Sequence, residues 1–474
     1  MPPKFKIKNV TLPVILLTAL FLRLYKIKEI FPFDFDQQAP AFAAYDFFVN
    51  HKITLIGQEL SFPGLFIGPL YNWIQFIPYR LCNLTPDCIP YFSIILGLLS
   101  IGLLFLVLKK IFNNKTALIV SSIYAFSFAA ISYEIGINGN SFLFLSSIGL
   151  LFSLYQYFLG KNMYLVIGAL IAGIATVNFN PVFIFSTATF FITGFFRKKR
   201  DPLIFMSGIF VFLLNYIPLV IFNFRHNNIL ATSLINFAHQ ESLKINYFSK
   251  TLFISRNIVL PFYSNFLFQN ANLIFTIFTL LFILFALLLI FRRKNSFFPK
   301  FVSNLDFNQR FYFLFPLWII IPILGLTFYK GHIPDYYFQQ TLLAFIILVA
   351  LAVRQNIIIF LIFTSAFLFF NLKTISNYHT VVNYQIKKEA VNFITYDSKG
   401  ESFNVYYDMP QGLNTGYGYL FKVKGQEPQE GGKNLYILEF SDPHQFSLSK
   451  YFKSFPDKKI TVMVIGFVHV VSVK

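Results

Sequence analysis

A series of apolar runs, each close to the length of a bilayer crossing, limits this chain more than any other feature. They fall at 10–24, 91–108, 117–132, 141–159, 163–179, 181–196, 203–223, 272–291, 311–328, 338–353 and 356–372. A hydrocarbon core takes about 20 residues of helix, and backbone polar groups in lipid must be satisfied within the segment that carries them. The expected fold is therefore an all-α polytopic membrane protein of about 11 transmembrane helices. The first run is followed by Arg23 with no small-residue cleavage pattern, so it reads as an anchor rather than a cleaved signal. Only 12% of the residues are charged, against roughly a quarter in soluble domains. That excludes a water-soluble enzyme or scaffold.

The chain has 39 basic and 20 acidic residues, a surplus that could suggest a nucleic-acid partner. Its distribution argues against one. With the N-terminus taken as cytoplasmic, the inner connectors hold Lys4, Lys6, Lys8, Lys109, Lys110, Lys115, Lys161, the run Arg197–Arg200, Arg292, Arg293, Lys294, Lys300, Arg310 and Arg354. The longer outer connectors hold Lys26, Lys28, Lys52, Arg80, Arg225, Lys244, Lys250, Arg256 and Lys330. This is the positive-inside pattern. It places 25–90 and 378–474 outside and predicts a protein of the plasma (inner) membrane with its C-terminal part extracytoplasmic.

Residues 378–474 are a different kind of sequence. An amphipathic stretch at 384–396 is followed by β-prone runs at 403–407, 435–440 and 460–473, with turn formers between them. A small α/β domain on the outer face is expected, after a membrane domain spanning 1–377. Two outer segments of that membrane domain stand out. One is the first outer loop, 25–90; the other is a connector at 225–270, long enough to imply a function. Cys82 and Cys88 lie in the first, around a turn-forming Asn83–Asp87. An oxidising compartment would allow them to pair, and two unpaired thiols are the alternative.

Before residue 378 there are 11 carboxylates, and Glu29, Asp34, Asp36, Asp46, Glu59 and Asp87 all lie in the first outer loop. A carboxylate beside a membrane is costly unless it pairs, binds an ion or does chemistry. In Phe33-Asp34-Phe35-Asp36 the two acids would share one side of an extended stretch, or one of them would cap a helix starting there.

The order Arg23-Leu24-Tyr25, Asp36-Gln37, then Gly68-Pro69-Leu70-Tyr71 resembles the GT-C superfamily of membrane glycosyltransferases, in its protein O-mannosyltransferase-like and lipid A aminoarabinose transferase-like branches. Glu134 with Asn138-Gly139-Asn140-Ser141 is similar to that family's second outer loop, and His332–Phe338 to the aromatic segment before a late span. Ile67 stands where aminoarabinose-type relatives carry a Lys before the Pro-Pro. The resemblance implies transfer of a sugar from a polyprenyl-phosphate carrier to a lipid, glycan or protein acceptor of the cell envelope, with inversion at the anomeric carbon. It implies Asp36 as the base, Asp34 as second choice and Glu134 as a partner acid. Asp36 and Glu134 would be the ligands if a divalent cation, Mg²⁺ or Mn²⁺, takes part. Arg225, Arg256, Lys330, His332, Tyr336 and Tyr337 are the candidates for the carrier phosphate.

Each of these residues also has a structural reading. His332 would satisfy a loop carbonyl, Arg225 would flank a span at headgroup level, Tyr336 and Tyr337 would belong to an aromatic belt, and Gly68-Pro69 would shape a turn. Two other functions fit the same sequence: a transporter or flippase of lipid-linked sugars, and a polysaccharide ligase or polymerase. A transporter would place polar residues mid-bilayer on interrupted helices; here the acids gather on one face.

Overall fold

The computed structural model describes residues 11–197, 201–239, 246–292, 314–442 and 446–474. The basic clusters at 4–8, 198–200 and 293–310 lie outside these residues. Among the described residues, four helices are long and apolar enough to cross a bilayer: Pro86–Ile111, Gly139–Phe158, Asp335–Val353 and Ile357–Asn377. Three pairs qualify only as bent units. These are Asn114–Phe126 with Phe128–Ile135 (59°), Pro202–Leu214 with Ile217–Arg225 (44°) and Tyr247–Phe268 with Leu273–Leu289 (95°). Thr11–Leu24, Met163–Phe179, Pro181–Gly194 and Leu314–Thr327 are apolar but shorter. Straight, bent and short apolar helices thus make up the described membrane part together.

The connector expected at 225–270 is corrected most. Its described residues form the helices Ile229–His239, Tyr247–Ile254 and Leu260–Phe268, joined in the last case by a π-helical turn at Ser255–Val259. Ser255-Arg256-Asn257 interrupts the apolar pattern there, which hides the helix from a hydropathy count.

Leu342–Val353 is the axis of the bundle, with all twelve residues buried. Ile357–Asn377, also apolar over most of its length, buries only Phe363, Phe367, Asn371 and Ile375, a stripe at i, i+4, i+8 and i+12. The rest of that helix presents apolar side chains outward, as lipid requires. The 59° bend after Phe126 releases backbone groups, and side chains from elsewhere take them. Arg23 donates to the Ala125 carbonyl at 2.9 Å, and the Asn371 carboxamide oxygen accepts from the Phe128 N–H at 2.8 Å. Without such partners a break inside the bilayer would leave costly unpaired groups.

The C-terminal part builds a four-stranded sheet in the order β1-β2-β4-β3. The strands are β1 (Phe403–Asp408), β2 (Asn434–Phe440), β3 (Ile460–Ile465) and β4 (Val468–Val473). β1 and β2 run parallel with the Tyr417–Val423 helix in their crossover; β4 is antiparallel to both β2 and β3. β4, Val-His-Val-Val-Ser-Val, is wholly buried, as suits a β-branched central strand. The Tyr384–Asp397 helix covers the sheet on one side and meets the membrane part on the other. Cys82 and Cys88 form a disulfide, closing the loop that carries Asp87.

Candidate active site

A cavity of about 430 Å³ opens beside the first acidic segment. Its walls come from the start of the Phe35–Phe48 helix, residues 58–67, Tyr133, residues 138–140 with 179–182, Leu234 and Phe237, and residues 329–339. Residues 57–67 double back on themselves, with Gly57 N–H to Ile67 O at 2.7 Å and Ile67 N–H to Gln58 O at 3.0 Å. This arm leans on the 217–239 helices through Phe66–Phe222 and Phe62–Phe237 ring contacts.

Asp36 is the acid in the cavity that holds two side-chain hydrogen bonds. Gln58 donates to Oδ1 at 2.6 Å and Asn138 to Oδ2 at 3.3 Å, so each oxygen accepts one amide proton and keeps a lone pair for another donor. Tyr71, fully buried, donates to the Ile137 carbonyl at 3.1 Å. Burial, and then the Asp36 charge, push its phenol well above the ordinary value. Glu59 also lines the cavity, its carboxylate accepting the Gly64 N–H at 2.7 Å. Tyr133, Tyr329, Tyr336 and Tyr337 supply the other wall.

Asp34, two residues earlier, is turned away. It occupies the N-cap position of the Phe35–Phe48 helix, where Gln37 accepts its backbone N–H at 3.0 Å. Its carboxylate meets Lys387 Nζ at 2.5 Å, and the same ammonium donates to the Phe33 carbonyl at 3.0 Å. Lys387 is completely buried while Asp34 is 41% exposed. Burial holds the Lys387 ammonium below its ordinary value in spite of the opposing pull of Asp34. Asp34 is therefore corrected from an alternative base to the anchor of the C-terminal part. Asp87 adds a second anchor, bonded by Lys388 at 2.7 and 2.9 Å and by Tyr384 at 3.1 Å.

Glu134 is corrected as well. Its carboxylate pairs with Arg23 at 2.6 and 3.2 Å in a setting where Arg23 is 0% and Glu134 6% exposed. It is absent from the cavity lining, so the metal pair Asp36–Glu134 is not assembled. Among the described residues no three His, Cys, Asp or Glu side chains are grouped to hold a metal ion. The Asp36–Glu134 pair expected to hold a cation is not brought together.

Gly68-Pro69-Leu70-Tyr71 serves the wall rather than the chemistry. Gly68 N–H binds the Val177 carbonyl at 2.7 Å, and Leu70 N–H binds the Asn178 side chain at 3.2 Å. A Cβ on Gly68 would lie 2.2 Å from that Asn178 oxygen, so any larger residue would have to displace the Asn178 amide. Tyr336 and Tyr337 do line the cavity. Arg225, Arg256, Lys330 and His332 are exposed and do not. A different lysine comes nearer: Lys250 Nζ donates to the carbonyl of Tyr329. The sequence alone assigns no site role to Lys250, Gln58 or Asn180, and points to Asn138 and Asn140 only as part of a loop motif. The one available signal was the clustering of Asn at 138–140 and 178–180 in a chain poor in polar residues.

The sequence model of the family described as dolichyl-phosphate-mannose-protein mannosyltransferase matches residues 67–222. Two solved structures superpose on nearly the whole chain. The crystal structure of ArnT from Cupriavidus metallidurans bound to undecaprenyl phosphate does so at a TM-score of 0.60 and 12% identity, covering 97% of each chain. The apo state of the same protein gives 0.59 and 12% over 98% of each. No curated protein matches in sequence.

Proposed function

We propose, for a chain that has the fold of the GT-C membrane glycosyltransferases, that it transfers a sugar from a polyprenyl-phosphate carrier to a cell-envelope acceptor at the outer face, with inversion at the anomeric carbon. One observation carries this reading: Asp36 stands in a cavity with both oxygens oriented by amides, and four tyrosines line the same cavity. The carrier is what the ArnT crystal structure holds, undecaprenyl phosphate, and the likeness of fold supports the same class of donor here.

The reaction asks little else of the protein. An acceptor O–H or N–H lies against Asp36, which takes its proton as the acceptor attacks the anomeric carbon. The bond from that carbon to the phosphate oxygen breaks, and the electron pair leaves with the polyprenyl phosphate. Gln58 and Asn138 fix the carboxylate and limit its motion. Developing charge on the phosphate calls for hydrogen-bond donors, and the tyrosines 133, 329, 336 and 337 that line the cavity carry hydroxyls able to give them.

Replacing Asp36 with Asn keeps the volume and removes the charge. Loss of a general base costs about 10²–10⁴-fold in rate, so sugar transfer by purified protein should fall at least about a hundredfold with insertion and yield unchanged. Near-normal transfer by Asp36→Asn would end this mechanism, and movement of lipid-linked sugar across the bilayer without transfer would indicate a flippase.

A further inference from the structure

Two consecutive glutamines lie in the turn Asp335–Thr341, which leads into the axial helix of the bundle, and the fold uses them differently. Gln340 is fully committed. Its Nε2 donates to the Val182 and Tyr337 carbonyls at 3.1 Å each, and its Oε1 accepts from the Ser186 hydroxyl at 2.8 Å and the Ser186 N–H at 3.3 Å. Gln339 lines the Asp36 cavity with Tyr336 and Tyr337, and only 5% of its surface is exposed. Among the described residues its carboxamide has no hydrogen-bond partner, although buried polar side chains are nearly always bonded. Nor is it closed in. The unpaired amide of Gln75 is sealed inside the protein, but neither polar atom of Gln339 is among such sealed atoms, so the little surface it keeps is open and faces the cavity it lines.

The rest of the wall limits what this amide can take. Among the described residues the lining carries the carboxylates Asp36 and Glu59 and no Lys, Arg or His, so an acidic group on the ligand is repelled. A carboxamide offers two N–H donors and a carbonyl acceptor. A phosphate oxygen would use only the donors and an ammonium only the acceptor; a hydroxyl uses both. Asn140, in the same wall, has its Oδ1 taken by Asn180 at 2.5 Å and leaves its Nδ2 as a further donor. In the transfer mechanism above, tyrosines of this turn meet the carrier phosphate, and the sugar is the group bonded directly to that phosphate. We propose that Gln339 is a specificity-determining residue for the donor and binds a hydroxyl of an uncharged sugar. This rests on the transfer reading. A site that hydrogen-bonds a hydroxyl rejects the analogue lacking it, because its own buried groups are then left unpaired.

The test is equilibrium binding of radiolabelled farnesyl-phosphate glycosides to the full chain in nanodiscs, with binding to empty nanodiscs subtracted. The probes are farnesyl phosphate, its glucose, mannose, galactose and xylose conjugates, and the monodeoxy analogues of the conjugate that binds most tightly. Wild type should bind one conjugate more tightly than farnesyl phosphate, and should lose about tenfold in affinity when one particular hydroxyl is absent. Gln339→Leu keeps a similar volume and breaks no described hydrogen bond. It should bind the full conjugate about tenfold more weakly and no longer distinguish it from that deoxy analogue, with its affinity for farnesyl phosphate unchanged. The proposal is overturned if wild type binds every deoxy analogue as it binds the parent, or if Gln339→Leu keeps the discrimination. Equal weakening of farnesyl phosphate overturns it too, as the mark of a phosphate contact or a packing role. A wild type that binds farnesyl phosphate but gains nothing from any sugar removes Gln339 from the site and leaves the donor reading standing. A wild type that binds neither farnesyl phosphate nor any conjugate overturns both.

Discussion

Lys387 Nζ lies 2.5 Å from Asp34 Oδ1, and this contact ties the C-terminal part to the helix that carries Asp36. The two partners are unequal. Lys387 is buried entirely and Asp34 is two-fifths exposed, so removing one or the other does different damage.

Asp34→Asn strands a buried ammonium, and breaking a buried pair in this way costs about 3–5 kcal/mol. Lys387→Met leaves a carboxylate that water reaches and should cost about 1 kcal/mol or less. The double variant Asp34→Asn/Lys387→Met should regain stability and sugar transfer relative to Asp34→Asn alone. Thermal unfolding and transfer assays on the three proteins check this. A double variant as inactive as Asp34→Asn would return Asp34 to the chemistry.

Glu134→Gln should unfold the protein more readily rather than silence it. Arg23 would lose its counter-charge at 0% exposure, again about 3–5 kcal/mol. The variant should show lower yield and a lower Tm, while transfer per folded molecule stays within a few-fold of wild type. A stable but inactive Glu134→Gln would place this acid in the mechanism after all.

Asp87 gives a pH-dependent anchor. Burial alone would raise its carboxyl, but hydrogen bonds from Lys388, Thr85 and Tyr384 outweigh it and hold the group below its ordinary value. A carboxyl lowered in the folded state contributes its full stability above the unfolded value and loses it as pH falls through the folded one. Asp87→Asn should therefore lower Tm at neutral pH, with the difference from wild type shrinking only in strongly acidic buffer, below the ordinary carboxylate range. A gap that persists unchanged there would rule out titration of Asp87.

The sidedness drawn from basic residues is open to cysteine labelling, and burial decides where to place the probe. Ser398 is 1% exposed and would hide a thiol; Lys458 is exposed, as is Lys161 on the opposite side of the proposed topology. Lys458→Cys should react with an impermeant reagent added outside, and Lys161→Cys should not. The reverse pattern would overturn the orientation and with it the outer-face reaction.

The sequence shows the apolar runs, the strand pattern of the C-terminal part and the acid that ends up in the cavity, because period, hydropathy and local motifs are written along the chain. It does not show which acids are already taken. Asp34, Asp36 and Glu134 look alike as isolated carboxylates. Their fates are set by Lys387, Gln58 and Arg23, which are 353, 22 and 111 residues distant. The bend at Ser127 and the π-helical turn at Ser255–Val259 escape notice for a related reason: no proline marks the first, and a polar triplet breaks the apolar run at the second.

The π-helical turn at Ala175–Phe179 stands directly before Asn180, which lines the cavity. Such a turn holds one residue more than an α-helical path would need. An α-helix advances about 100° per residue. Deleting a single residue there would restore regular winding and swing everything after it by about that angle, carrying Asn180 away from Asn140, its 2.5 Å partner. All five residues of the turn are buried, so the segment should tolerate few changes of side chain and almost none of length, and the reading frame of this helix keeps the cavity closed on that side.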